Sequence, residues 1–390
     1  MTAPGTDVRR QRPRNRKQLI LNAARDLLVE LGYPSVTMAM IADRVGITAG
    51  ALYRHFGNKA DILEAVVAEN FAWLSEPVDA VGFDATMESL IARIADHPYL
   101  TDLWLHEVRY LSDDSLNRLR RRMRNWQRSL APILRELRTD LDNGQQDLLL
   151  WALASVLSCL SRASLHAPDA VRLPAVRSAI RAVTSAPLAP TGPKLDGVGA
   201  RSLPVSMRER LLLAAFEQFG YRGFHDTSMA TIGAAAGVTG PNLYGYFESK
   251  ADILRAVHER AAHALWLGLD NVLASGGDPG ELLREVARSY VRLARTWAWT
   301  LDDPIGKADL GDSFKLVQRE YVDEWVALLT RSLPELEPRQ ARVRVQIALS
   351  VVSDMYRIPR LTFRASFQDN LVSLVLAILH DGPWATGSDK

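Results

Sequence analysis

The sequence predicts an all-α protein built from two similar units in one chain. Apolar residues recur at helical spacing through most of the 390 residues, and few stretches show the alternation of a β-strand. One 50-residue segment also occurs twice: residues 17–66 and 208–257 share 19 identical positions without a gap, at an offset of 191 residues. Such self-similarity indicates an internal duplication, so we expect two helical units of about equal size.

Composition places the chain among ordinary globular proteins. Hydrophobic residues make up 47% and charged residues 24%. The longest apolar run, Leu148–Leu160, is shorter than the roughly 20 residues of a membrane span. Cys159 is the only cysteine, which excludes an intrachain disulfide. We expect a cytoplasmic protein without membrane association, bound metal or cofactor.

The repeated segment has the pattern of a helix-turn-helix. An amphipathic helix ends at Gly32, and a second helix is capped by Thr37 and ended by Gly46. Thr48 begins a third helix and Asn58 caps a fourth. Two short helices joined by a tight turn and supported by a longer helix form a DNA-binding motif, whose second helix enters the major groove.

Composition shifts divide the chain further. Residues 1–15 are rich in arginine and poor in apolar side chains, which predicts a flexible basic arm. Residues 186–204 hold four prolines and three glycines without helical periodicity, which is typical of a linker. The expected order is the arm (1–15), a first head (16–66), a first helical core domain (67–185), the linker (186–204), a second head (205–257) and a second helical core domain (258–382).

Helical periodicity also places the elements outside the first motif. We expect helices at about 59–75, 86–110, 113–140, 144–166 and 170–185 in the first half. In the second half we expect them at about 205–223, 228–236, 239–246, 249–274, 279–299, 313–333, 338–357 and 363–381.

Candidate DNA contacts lie on the turn and the recognition helix of each copy. Small residues at the start of that helix let the backbone approach DNA, and the Tyr53 hydroxyl can donate to a phosphate. Lys59 lies in the first turn of the next helix, where free N–H groups and an ammonium form a phosphate site. The candidates are Thr37, Arg44, Thr48, Ala49, Gly50, Tyr53, Arg54, His55 and Lys59 in the first copy, and Ser228, Thr239, Gly240, Pro241, Asn242, Tyr244, Tyr246 and Lys250 in the second. A purely structural role for the aromatic and capping residues is the alternative, and their recurrence at the same spacing weighs against it.

Both copies carry the same framework residues. They read Ile41-Ala, Gly46-Ile-Thr48, Leu52-Tyr-Arg-His-Phe56 and Lys59, and Ile232-Gly, Gly237-Val-Thr239, Leu243-Tyr-Gly-Tyr-Phe247 and Lys250. This pattern resembles the DNA-binding signature of TetR-type transcriptional regulators. The duplication, together with the segment 104–111, further resembles the fused double-TetR repressors of actinobacterial mammalian-cell-entry operons, which serve lipid uptake. The resemblance implies helical effector and dimerisation domains, and a repressor released by an apolar small molecule such as a lipid, sterol or acyl-CoA.

The resemblance also implies that the two halves pair as a pseudo-two-fold dimer, because TetR-like proteins work as two-fold homodimers. We expect a four-helix contact between residues 144–185 and 337–381, and one chain occupying one double-stranded operator as a monomeric pseudo-dimer. Further self-association stays open. Because residues 49–51 and 240–242 differ, we predict an asymmetric operator.

Charge separates the two heads as well. Residues 1–60 carry ten Lys and Arg against four Asp and Glu, whereas residues 201–258 carry six against five. Neutralisation of phosphates by basic residues supplies the salt-dependent part of DNA affinity. We therefore predict that the first head contributes most of that part.

Aromatic residues of the helical core domains are candidates for an effector site, although most aromatic residues at this spacing are core residues. They are Trp104, Tyr110, Trp126, Trp151, Trp297, Trp299, Trp325 and Tyr356.

The sequence lacks a His-Glu-x-x-His, a Gly-rich phosphate loop and a Gly-x-Ser-x-Gly motif. Glu107 and Arg109 diverge by about 200° on a helix, which favours an exposed position or separate partners over a catalytic pair. We expect no enzyme activity. An effector-independent DNA-binding protein and a small-molecule-modifying enzyme on a helical scaffold are the alternatives left open.

Overall fold

The fold is helical, which confirms the prediction of an all-α protein. The computed structural model describes residues 16–77, 81–162, 165, 167–194, 203–238, 240–297 and 311–381. Of residues 221–222, 240–241, 296–297, 311–315 and 359 it describes the backbone alone. The predicted arm (1–15), Thr239 and Trp299 lie outside the described residues.

The helices of the first half are α1 (Arg16–Leu31), α2 (Met38–Val45), α3 (Ala49–Tyr53), α4 (Lys59–Asn70), α5 (Phe83–Ala95), α6 (Asp113–Leu137), α7 (Asn143–Ser158) and α8 (Asp169–Ser185). Those of the second half are α9 (Met207–Arg222), α10 (Met229–Ala236), α11 (Lys250–Ala274), α12 (Pro279–Trp297), α13 (Gly311–Ser332), α14 (Pro338–Tyr356) and α15 (Phe367–His380). Short 3₁₀ turns occupy Tyr33–Ser35, Ala72–Ser75, Val108–Tyr110, Cys159–Ser161 and Gly240–Leu243. Single helical turns lie at Leu100–Asp102 and Pro359–Thr362, and Leu103–Glu107 is a π-helix.

One predicted helix of the first half is broken. The prediction of a continuous helix over residues 86–110 is wrong, because α5 ends at Ala95 and the chain becomes helical again only at Leu100. Pro98 lies in this gap. Proline lacks a backbone N–H, and its ring disfavours helical conformation at the preceding residue.

The chain divides into two compact units. The first unit holds the residues up to Glu76 together with Asp102–Arg122. The second unit holds Pro77–Thr101 and the chain from Met123 onward, and it includes the second head. The first head thus forms one unit with a segment that the sequence assigns to the helical core domain.

In the first unit, the apolar face of α1 packs against α2 and α4. Ile20, Ile41, Leu52, Ile62 and Leu63 are each at most 1% exposed. Burial of side chains of this size contributes about 1.5–3 kcal/mol each. This core holds the short helices α2 and α3, which are too short to be stable alone.

In the second unit, helices from the two halves of the chain pack together. α7 and α8 contact α14 and α15 at the places where the sequence predicts a four-helix contact, which is thereby confirmed. The contact includes a buried ion pair, in which Arg162 donates to Asp354 at 2.7 Å. Ser155 donates to the same carboxylate oxygen at 2.6 Å. Loss of one partner of a buried pair costs about 3–5 kcal/mol, so this pair favours one alignment of the two halves.

The described part of the predicted linker is held by hydrogen bonds. The backbone N–H of Thr191 donates to Asp142 at 2.7 Å, and the side chain of Gln145 donates to the carbonyl of Leu188 at 3.0 Å. On the other half, the N–H of Ala189 donates to the side-chain oxygen of Asn370 at 2.7 Å. Residues 186–194 therefore connect both halves of the four-helix contact through hydrogen bonds.

Candidate nucleic-acid interface

In the first head, short-range hydrogen bonds shape the helix-turn-helix. The Thr37 hydroxyl accepts the N–H of Met40 at 3.2 Å and caps α2. Gly46 ends α2 with a φ of 71°, a left-handed conformation that favours glycine. The Thr48 hydroxyl accepts the N–H of Ala51 at 3.3 Å and caps α3. The caps predicted from the sequence are confirmed.

The outer face of this motif is open to solvent. Leu52 is fully buried beneath α3, whereas Tyr53 is 54% exposed. The other predicted contacts that are exposed are Thr37, Arg44, Thr48, Ala49, Gly50, Arg54 and His55. These side chains and the start of α3 can therefore reach a DNA groove.

The second head repeats the turn but not the helix after it. The Ser228 hydroxyl accepts the N–H of Thr231 at 3.0 Å, and Gly237 ends α10 with a φ of 75°. The sequence predicts a recognition helix over residues 239–246, but the structure has a 3₁₀ turn at Gly240–Leu243. A proline in the second position of this turn donates no N–H to it.

The second recognition element still presents side chains to solvent. Leu243 is 3% exposed, whereas Tyr244 is 59% and Tyr246 is 45% exposed. Asn242 and Ser228 are exposed as well. The two heads therefore share a buried leucine and an exposed tyrosine next to it.

A glycine accounts for the closer packing in the second head. A Cβ on Gly233 would lie 2.8 Å from the Leu243 side chain and 2.8 Å from the carbonyl oxygen of Val238. The first head has Ala42 at the corresponding position. The 3₁₀ turn thus lies closer to α10 than a side chain at residue 233 would allow.

Lys59 and Lys250 both make a contact that the sequence did not indicate. The Lys59 ammonium donates to the carbonyl of Tyr33 at 2.6 Å and lies 4.1 Å from the centre of its ring. The Lys250 ammonium donates to the carbonyl of Phe224 at 2.5 Å and lies 4.4 Å from that ring. Each lysine therefore ties the last helix of its head to the turn after the first helix. The recurring aromatic residue after Gly32 and Gly223 is the sequence signal for this contact.

Arg44 is exposed and paired within the head. Its guanidinium donates to Glu30 at 3.0 Å and lowers the pKa of that carboxyl. The second head has Tyr221 and Ala235 at the corresponding positions. In contrast, Arg54 makes none of the ion pairs of the described residues.

Glu107 is buried, unlike most acidic residues. The residue is 4% exposed, and its carboxylate accepts the backbone N–H of Tyr33 at 2.9 Å. Burial raises the pKa of Glu107 to about 7, while the Tyr33 N–H, Arg109 and Lys59 counteract the rise. Glu107 and Arg109 have separate hydrogen-bond partners, since Arg109 donates to the carbonyl of Leu105 at 3.1 Å.

The candidate effector residues belong to different units. In the first unit, the Trp104 ring lies 6.0 Å from that of Phe71, and Tyr110 stacks on Tyr33 at 5.0 Å. Both contacts lie within the first unit.

The remaining described candidates are in the second unit. Trp126 is buried, and Arg360 lies 5.5 Å above the Trp151 ring. Trp325 is fully buried against Tyr290, at a ring distance of 5.6 Å. The Tyr356 hydroxyl donates to the carbonyl of Val291 at 2.6 Å, and burial raises the pKa of Tyr356 to about 12. Trp126 and Trp325 are thus core residues, whereas Trp151 and Tyr356 are half-buried, and the side chain of Trp297 is not described.

The described part of the chain contains no group of three or more His, Cys, Asp and Glu side chains that could hold a metal ion. None of its helices combines the length and hydropathy that a membrane span requires.

Two helix-turn-helix heads with exposed recognition elements define a class: DNA-binding proteins that contact DNA through a short element after a tight turn. The sequence profile described as "Bacterial regulatory proteins, tetR family" matches residues 20–66 and 211–257. The chain therefore carries two copies of the DNA-binding domain of the tetR family.

Curated relatives align with part of the chain. The HTH-type transcriptional repressor AcnR of Corynebacterium diphtheriae is 29% identical over 122 residues, which is 27% of this chain and 64% of AcnR. The uncharacterized HTH-type transcriptional regulator TtgW of Pseudomonas putida is 31% identical over 85 residues, 20% of this chain and 60% of TtgW. The alignments thus span less than two thirds of these relatives.

Among solved structures, the ketosteroid transcriptional regulator KstR2 of Mycobacterium tuberculosis matches with a TM-score of 0.40 and 16% identity. That match covers 50% of this chain and all of the KstR2 chain.

Proposed function

We propose that the chain is a transcriptional regulator that binds one DNA operator with two different heads. The observation that carries this proposal is the combination of two helix-turn-helix heads with a contact between the two halves through α7, α8, α14 and α15. Because both heads belong to one chain, pairing of the halves needs no second molecule. One chain is then one operator-binding unit, with half-sites about 34–36 Å apart.

The two heads contribute unequally to affinity. Arg54 and His55 are exposed in the first head, and the corresponding residues of the second are Gly245 and Tyr246. Each phosphate contact of a basic residue adds to the salt dependence of binding. The first head supplies most of the salt-dependent affinity.

The two heads also read different bases. The start of α3 presents Ala49 and Gly50, which allow close approach of the backbone to DNA. The second recognition turn presents Asn242, whose amide can pair with the edge of an adenine. The operator has two dissimilar half-sites.

An apolar small molecule, such as a lipid, sterol or acyl-CoA, releases this repressor from DNA in the cytoplasm. A repressor role is supported by the relative AcnR, which is named as one. An apolar effector is supported by the aromatic interior of the second half, where Trp325, Tyr290 and Tyr321 contact one another. The effector acts by binding the conformation with wrongly spaced heads more tightly than the DNA-bound one. The protein needs neither a cofactor nor an enzymatic reaction for this role.

Titration of DNA with the full chain tests the proposal. Duplexes selected from a random library at low salt are titrated with and without fatty acids, sterols, acyl-CoA and total lipid extract. Tight binding that one of these compounds reverses is the expected result. Binding that none reverses points to an effector-independent protein, and absence of binding at low salt contradicts both DNA-based functions.

A matched pair of variants identifies the surface that binds. Arg54→Ala and Arg177→Ala each remove one arginine, but Arg177 lies on α8 and pairs with Glu88. We expect Arg54→Ala to weaken binding and to reduce the salt slope by about 1, and Arg177→Ala to leave both unchanged.

A further inference from the structure

The segment Leu103–Tyr110 contacts the first head of the same unit at Tyr33. The N–H of Tyr33 donates to the buried carboxylate of Glu107 at 2.9 Å, and the Tyr33 carbonyl accepts from Lys59 at 2.6 Å. The Tyr33 ring lies between Lys59, at 4.1 Å, and the ring of Tyr110, at 5.0 Å. Tyr33 opens the 3₁₀ turn that leads into the helix-turn-helix, so these contacts fix the start of the DNA-binding motif.

A carboxylate is a costly choice for this position. A buried N–H is satisfied by any acceptor, including a neutral amide or a backbone carbonyl. An acidic group taken out of water loses solvation in its charged form, which is why the pKa of Glu107 rises. Of the charged groups around it, Lys59 and Arg109 favour the carboxylate and Asp102 disfavours it. A neutral acceptor such as glutamine would satisfy the Tyr33 N–H with a smaller loss of solvation free energy.

The backbone that carries Glu107 is unusual as well. Leu103–Glu107 is wound as a π-helix and runs into the 3₁₀ turn Val108–Tyr110. π-helices occur mostly as single turns at functional sites, and they insert one extra residue into a helix. Because successive residues of a helix differ by about 100°, removal of that extra residue would rotate Glu107 away from Tyr33. The π-turn therefore sets which side chain meets the head.

The stretch Asp102–Arg122, which includes this segment and forms one unit with the first head, also contacts the last helix of the head. Arg118 donates to Glu64 on α4 at 2.5 Å, and Arg122 donates to the carbonyl of Phe71, the residue after α4, at 3.3 Å. The stretch thus contacts the head before its recognition helix, at Tyr33, and after it, at α4.

We propose that Glu107 is a positioning residue for DNA binding: with Tyr110, it sets the orientation of the first head through Tyr33 and Lys59. This inference rests on the proposed function for its effect on DNA, but its effect on the head does not. A conformational change at the π-turn is transmitted to the first recognition helix through Glu107 and Tyr33, and Glu107 itself needs no contact with DNA for this effect.

The test compares three variants of the full chain. Glu107→Leu removes the acceptor, Glu107→Gln keeps an acceptor oxygen without the charge, and Asp114→Asn changes an exposed acid of the same unit. Binding to a duplex selected with the unmodified protein is measured against salt concentration, and hydrogen exchange is followed at Tyr33 and along α2 and α3.

We expect Glu107→Leu to weaken DNA binding on the order of tenfold, as for loss of a hydrogen bond to a charged group, with the salt slope unchanged. The amides of Tyr33, α2 and α3 should exchange faster in this variant, while exchange in the second head is unaltered. Glu107→Gln should restore most of both properties, and Asp114→Asn should match the unmodified protein. Wild-type affinity together with wild-type exchange in Glu107→Leu would contradict the inference. Faster exchange in a chain that binds no DNA would sustain the positioning role and reject only the proposed function.

Discussion

The first and second heads of this chain share the contacts that hold a head together and differ in those that face outward. Lys17 lies 5.7 Å from the centre of the Phe56 ring, and Arg208 lies 4.9 Å from that of Phe247, at the same offset of 191 residues. The contact of Lys59 with Tyr33 recurs as well, between Lys250 and Phe224. Duplication has kept the cation and the aromatic ring in both places.

The outward-facing parts have diverged. A five-residue α-helix, Ala49–Tyr53, follows the turn of the first head, and a 3₁₀ turn follows that of the second. Arg54 corresponds to Gly245, and only the first head has the Arg44–Glu30 pair. Residues that build the head are therefore retained between the two copies, whereas the outward-facing residues differ.

The largest expected difference between the heads concerns pH. Burial raises the pKa of Glu107 from 4.5 to about 7. Between these two pH values the folded first unit therefore keeps a proton on Glu107 that the unfolded chain releases. Its stabilising contribution is complete below pH 4.5 and is lost as the pH rises through 7. This loss amounts to about 3 kcal/mol.

Glu107→Gln should abolish this loss, because the amide stays neutral. Hydrogen exchange of α1 in the first head, compared at pH 5 and pH 8, measures the effect, and exchange of α9 in the second head is the internal control. An identical pH response in the variant and the unmodified protein would mean that Glu107 does not titrate in this range.

The next largest difference concerns the turn itself. Gly233→Ala places a Cβ 2.8 Å from the Leu243 side chain and from the Val238 carbonyl, so the second head should lose about 1–3 kcal/mol. The reverse change in the first head, Ala42→Gly, should cost only about 0.5–1 kcal/mol through helix propensity. Denaturant titration with a fluorescence probe in each head measures both. Equal costs would show that the two turns pack alike.

A change at the shared lysine should affect both heads equally. Lys59→Met and Lys250→Met keep most of the apolar stem and remove the hydrogen bond to the turn carbonyl. Both ammonium groups are half-buried, so we expect each to cost about 1 kcal/mol in its own head. Limited proteolysis at the turns after α1 and α9 reports the loosening. A cost confined to one head would break the structural equivalence of the two lysines.

The smallest expected effect is an exchange of charge between the heads. Gly245→Arg introduces the arginine of the first head into the second, where a Cβ meets only the Asn242 carbonyl at 3.5 Å, an ordinary contact. Its salt slope on a random duplex should rise by about 1, and the double variant Arg54→Ala with Gly245→Arg should return to the original slope. A slope that ignores Gly245→Arg would place this residue off the DNA surface.

Much of the heads could be predicted because their signals are local. Thr37, Thr48 and Asn58 cap helices that begin one residue later, and Gly46 ends one with a left-handed conformation, all within a few residues in sequence. Burial of Leu52 and exposure of Tyr53 follow from the helical period. Such features depend on hydrogen bonds and periodicity that a single segment reveals.

The contacts of Glu107 could not be predicted in this way. Tyr33 and Glu107 are 74 residues apart, and an acidic residue is the type least expected in a core. Tertiary packing, rather than local propensity, determines where a π-turn forms. The break at Pro98 also separates α5 from the segment that carries Glu107, so the helical period of α5 does not continue to that residue. The sequence indicates a phosphate contact for Lys59, because a cation at the start of a helix is unfavourable without a nearby anion. In the structure the Tyr33 carbonyl also accepts a hydrogen bond from this ammonium group. That lysine's contact with DNA stays a prediction.

Selection of duplex DNA from a random library by the full chain tests most directly whether two different heads read one operator. We expect two dissimilar half-sites in a fixed order, about one helical turn apart, and one chain in each bound complex. A palindromic site, with the same half-site recovered twice, would contradict this expectation.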